Sequence, residues 1–138
     1  MNENAIKISA IIQADIKHVW ESWNNPDSVK QWNTAMPSWH CPKAENDFTI
    51  GGKFFYTMAA KDGSFSFDFE GEYTNIIPHQ QIAYTMGDGR KVEIYFKSVP
   101  EGVEINERFE PENMNSLEMQ KEGWQSILNN FKKHVENQ

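Results

Sequence analysis

Glu107 stands on the apolar side of an alternating segment, between Ile105 and Phe109, while Glu104, Asn106 and Arg108 take the other side. A carboxylate facing a cavity is desolvated, so its pKa rises, and it can act as an acid or hold the polar end of a ligand. The ordinary alternative is a bulge or shifted strand end that turns it to solvent, or pairing with an arginine.

A second group is Trp39-His40-Cys41-Pro42. A histidine beside a cysteine has the makings of a base and a nucleophile, but neighbours in an extended segment point apart. His18, His79 and His134 show no ligand spacing with the pair, so no metal centre is expected. The alternative reading has Trp39 as an apolar wall and His40 as a hydrogen-bonding group, both folded over a cavity mouth. Gln120 and Trp124 form a third group, one helical turn apart. If their side of the helix meets a sheet, Gln120 would orient a ligand and Trp124 would wall it. A solvated helix edge and a core tryptophan are the plain alternatives.

These residues need elements to hold them. Ile6, Ile8, Ala10 and Ile12 alternate as a first strand. Asp15 caps a helix whose apolar positions are Ile16, Val19, Trp20 and Trp23, and Asn25-Pro26 stops it. Asp27 then caps a short second helix toward Trp32. Residues 33–45 show no period and read as a long loop, the kind that often carries function. From Gly51 to Phe109 apolar alternation repeats as a meander, with hairpin signals at Gly51-Gly52, Asp62-Gly63 and Asp88-Gly89 and a weaker one at Glu101-Gly102. Phe65, Phe67 and Phe69 are expected in the core. Leu117, Trp124, Ile127, Leu128, Phe131 and Val135 make one stripe of a closing helix. Gly123 inside that helix suggests a close backbone approach or extra room.

The 138 residues suit one domain. Aromatic residues make up 13% of the chain, enough to build a large core or to line an apolar pocket. A net charge of −7 with no basic stripe argues against nucleic acid. Cys41 is the only cysteine, so no internal disulfide is expected. The polar start Met1-Asn2-Glu3-Asn4 does not read as a signal peptide, and no apolar run approaches the roughly 18 residues of a membrane span, so no membrane insertion and a cytoplasmic location are expected.

Several segments, in this order and spacing, are similar to one family. They are Ala14-Asp15-Ile16-Lys17-His18-Val19-Trp20, Asn25-Pro26-Asp27 through Gln31-Trp32, Asp47-Phe48-Thr49-Ile50-Gly51-Gly52-Lys53-Phe54, Asp62-Gly63, and Gly123-Trp124-Gln125-Ser126-Ile127-Leu128. Over about Ile6 to Val135 the chain resembles the family of the Hsp90 ATPase activator C-terminal domain, within the START-related SRPBCC superfamily. The resemblance implies an α+β helix-grip fold, with about seven antiparallel strands curved around the closing helix and two short helices at one end. It also implies a cavity for lipids or other apolar ligands.

The leading expectation is a small-molecule binding protein without a cofactor. Its ligand would be walled by Trp32, Trp39, Met58, Phe67, Phe69, Tyr84, Phe109 and Trp124 and oriented by His40, Glu107 and Gln120. Contact with a chaperone is a second expectation, by similarity to the activator. An enzyme of cyclase or hydrolase type using Glu107 and His40 is the third.

Overall fold

The computed structural model describes residues 4–138; the polar start Met1-Asn2-Glu3 lies outside the described residues. Strand β1 (Ile6–Ile12) leads into helices α1 (Ile16–Asn24) and α2 (Pro26–Trp32). Strands β2 (Trp39–Asn46), β3 (Lys53–Ala60), β4 (Ser66–Ile77), β5 (Gln81–Met86), β6 (Lys91–Val99) and β7 (Gly102–Phe109) follow, then helix α3 (Leu117–Glu136). The strands form one antiparallel sheet in the order β1-β7-β6-β5-β4-β3-β2. Consecutive strands pair throughout β2 to β7, and β1 closes on β7, with Ile6 opposite Phe109 and Ile12 opposite Val103. This is the helix-grip α+β architecture.

Each helix carries its own start signal. Asp15 Oδ1 accepts from the His18 backbone N at 2.8 Å, which caps α1. Asn25, rather than Asp27, caps α2: its Oδ1 accepts from Asp27 N at 2.9 Å, and Pro26 fills the first helical position. One Asn-Pro pair therefore ends the first helix and begins the second. Ser116 caps α3, with Glu118 in its first turn and Lys133 and His134 in its last, as the helix dipole favours.

The segment 39–46 corrects the sequence reading, for it is an edge strand and not a loop. Trp39 and His40 pair with Ala60 and Ala59, then the register slips before Lys43 meets Thr57. That β-bulge moves the inward side from Cys41 to Ala44, which erases any period-two pattern. Pro42 sits inside the bulge, where no ladder donor is required. The turns also differ from expectation. Residues 47–52, 61–65 and 87–90 join their strands by longer connections, while Pro100-Glu101, at the weakest signal, makes the two-residue turn. Gly102 leaves that turn at φ 141°, and a Cβ there would lie 2.0 Å from the Ile12 carbonyl oxygen, so only glycine fits.

The inward faces of β1, β6 and β7 supply Ile8, Ile12, Val92, Ile94, Phe96, Val103, Ile105 and Phe109, all buried. Leu128, Phe131 and Val135 of α3 complete this core. The close backbone approaches of α3 are to β1, α1 and α2 rather than to β3–β5. Opposite β3–β5 the gap is bridged by large side chains only, and there the cavity lies. No helix among the described residues is long and apolar enough to cross a membrane.

Candidate functional site

Between α3 and strands β3–β5 is a cavity of about 260 Å³. The strand side supplies Phe54, Tyr56 and Met58 from β3, Phe67, Phe69 and Tyr73 from β4, and Ile82 and Tyr84 from β5. Period-two alternation requires this: even positions of β3 and odd positions of β4 face the same way, and the register sets Tyr56 opposite Phe69 and Met58 opposite Phe67. The helices add Trp23, Trp32, Trp124, Ile127 and Leu128, and Asn33 and Arg90 enter from loops.

Glu107 is the acidic group in this lining. It lies on the inward face of β7 between Ile8 of β1 and Ile94 of β6 in register, and is 6% exposed. It makes no hydrogen bond or ion pair with any described residue. Every fully sealed side-chain polar atom among the described residues has a hydrogen-bond partner. The unpartnered carboxyl oxygens of Glu107 must therefore reach the cavity. Burial pushes its pKa up to about 8, with no neighbouring charge holding it down. Tyr84, next to it in space, is also raised, by burial first and then by the Glu107 charge.

The other polar groups are mostly spoken for. Tyr73 Oη donates to Asn46 Oδ1 at 2.7 Å, and Asn46 Nδ2 donates to the Asn24 carbonyl at 2.8 Å, tying the sheet to α1. Burial raises both Tyr56 and Tyr73 above their ordinary pKa. Arg90 Nε is 2.8 Å from Asp88 Oδ2, and its Nη1 donates to the Glu110 carbonyl at 3.3 Å. Asn33 Nδ2 is 3.3 Å from Met58 Sδ.

The structure brings together Trp32, Met58, Phe67, Phe69, Tyr84, Glu107 and Trp124 of the residues expected from sequence. Four others lie elsewhere. Phe109 is fully buried behind the wall, its ring stacked on Trp124 at 3.9 Å and 10°. Gln120 points to the chain before α3 instead: its Oε1 accepts from Glu112 N at 2.9 Å, and its Nε2 donates to the Glu112 and Asn115 carbonyls. It is a loop anchor. Trp39, half-buried, packs against Phe65 and Phe67 at 6.0 Å, outside the lining. His40 is exposed on the outer face of β2 while Cys41 is buried on the inner face, its thiol pKa raised first by burial. The strand separates that pair, and it separates His40 from Glu107 as well.

Phe65 and Phe67 correct another expectation, being 60% and 45% exposed. Trp39 meets both rings but leaves them largely open to solvent, and Phe67 also borders the cavity. Leu117 at the tip of α3 is likewise 56% exposed. Trp23, Phe54, Tyr73 and Ile82 line the cavity without having been singled out, although each sits on an apolar face visible in the sequence. Asn33 and Arg90 carry no such signal, because only the fold turns their loops inward.

The family model for Activator of Hsp90 ATPase homolog 1-like protein matches residues 13–136. The chain belongs to this family. An AHSA1-like protein from Aeromonas hydrophila, solved by NMR, is 41% identical, with a TM-score of 0.91 over 96% of this chain and 92% of that one. A solution structure from Cytophaga hutchinsonii is 46% identical, with a TM-score of 0.81 over 99% and 94%. A crystal structure from Chromobacterium violaceum, 22% identical, shares the fold at a TM-score of 0.86 over 96% and 98%. Comparison with curated proteins gave no match. Family membership fixes the fold of this protein; its function must be argued from its own side chains.

Proposed function

We propose that this family member binds a small, largely apolar molecule in the cavity between the sheet and α3. The observation that carries the reading is the lining itself: aromatic and aliphatic walls converge on one buried polar end at Glu107 and Tyr84. At about 260 Å³ the space lies just below the roughly 300–1,000 Å³ of drug-sized sites, which suits one or two rings or a short acyl chain. Binding is proposed to occur in the cytoplasm.

Screening a library of lipids and aromatic metabolites by NMR tests the proposal. Shift changes should concentrate at Trp32, Met58, Phe69, Tyr84 and Trp124. A library that perturbs none of them would overturn it. A second reading, contact with a chaperone, is supported by the family's description as Hsp90 activator-like. A pull-down with Hsp90 that recovers none of this protein would set it aside.

A further inference from the structure

The Glu107 carboxyl group is buried, has no partner among the described residues and faces an aromatic space. Ile8 on β1 and Ile94 on β6 flank Glu107 and offer no donor. From β5 comes the Tyr84 hydroxyl, which has no hydrogen-bond partner among the described residues and so, by the same reasoning as for Glu107, also reaches the cavity. From α3 come Trp124, Ile127 and Leu128, and from α1 and α2 come Trp23 and Trp32, none of them charged. Arg90, from the turn before β6, is the one cation in the lining among the described residues, and Asp88 and the Glu110 carbonyl already hold it.

We infer that the ligand is a hydrophobic organic amine, bound as its ammonium ion with the charged nitrogen on the Glu107 carboxylate and the Tyr84 hydroxyl. This rests on the binding function proposed above and names the class of molecule bound. A wholly apolar ligand would leave the carboxyl oxygens without partners, and an anion could meet only the protonated carboxyl, with a single O–H to donate. An ammonium ion supplies the missing charge and several donors, and the rings of Trp32, Trp124, Tyr56 and Phe69 give it electron-rich walls. The net charge of −7 attracts cations toward the protein.

Proton balance follows. Near neutral pH the empty site holds Glu107 largely as the acid. When the ammonium ion enters, the carboxyl O–H bond breaks, its proton passes to the buffer, and the carboxylate and ammonium remain paired. Amine binding therefore releases close to one proton near pH 7 and tightens about tenfold per pH unit from about pH 6 to 7.

The experiment compares phenethylamine, 2-phenylethanol and 3-phenylpropanoate by calorimetry on the full chain, in buffers of different ionisation enthalpy. The amine should bind about tenfold or more tightly than the alcohol, with proton release, and the propanoate should be weakest. Glu107→Gln should abolish the amine's advantage. An alcohol or propanoate that binds as tightly as the amine would overturn the amine assignment while leaving an apolar site in place. If none of the three binds, the site reading itself falls and takes the amine with it. The wild-type comparison and the proton count decide the matter even if the Gln variant does not fold.

Discussion

Replacing Glu107 with glutamine removes an ionisable group and keeps its shape, so its effect on stability should depend on pH in a calculable way. In the unfolded chain the carboxyl titrates near its ordinary 4.5, and in the fold near 8. Between these values the unfolded state binds fewer protons than the folded state, so stability falls as pH rises. For two such values the loss between about pH 5 and pH 8 is roughly 3–4 kcal/mol. At pH 5 the folded carboxyl is still protonated while about three-quarters of the unfolded ones are ionised, so Gln should lead by only about 1 kcal/mol. By pH 8 the Gln variant should be more stable by roughly 4 kcal/mol. Urea unfolding followed by tryptophan fluorescence, for both proteins at several pH values, measures the difference and cancels every other titrating group. A difference that stays flat to within about 0.5 kcal/mol across that range would refute the burial of Glu107 as an unpaired acid.

Other perturbations follow from the same geometry. A Cβ at Gly123 meets nothing within 4 Å, so Gly123→Ala should raise stability by about 0.5–1 kcal/mol, read as a higher urea midpoint. Gly71→Ala would place a methyl 2.7 Å from Phe54 Cε2 and 2.9 Å from Tyr84 Cδ2, costing about 1–3 kcal/mol and crowding the cavity, which should weaken any bound probe. Gln120→Ala removes the hydrogen bonds that hold the half-buried Glu112 and exposed Asn115 backbone and should cost about 0.5–1.5 kcal/mol by thermal or urea unfolding.

The legible part of this fold is the part that repeats. Faces of β3 to β7 could be read because inward residues recur every second position, and Glu107 was conspicuous for breaking that pattern with a charge. The core half of the α3 stripe was readable for the same reason at helical spacing. The bulge in β2 was not, since one extra residue between His40 and Lys43 reverses the alternation and leaves no period to detect. Gln120 lies on the right stripe, yet its amide turns along the helix to the backbone before it, and stripe position alone does not reveal a side chain's hydrogen bonds. Phe109 faces inward as expected but lies beneath Trp124, because depth within a face depends on which ring packs first. Phe65 and Leu117 are apolar yet exposed, a matter of packing that only the assembled fold decides.

The central claim, that the cavity takes a small apolar molecule, is best tested on the indole N–H signals of the protein's five tryptophans. Trp23, Trp32 and Trp124 line the cavity; Trp20 and Trp39 do not. When one-ring aromatic amines and alcohols are titrated into ¹⁵N-labelled protein, the first three signals should move together along one saturating curve, while the other two hold still. Signals that never move, or movement confined to Trp20 and Trp39, would contradict the claim.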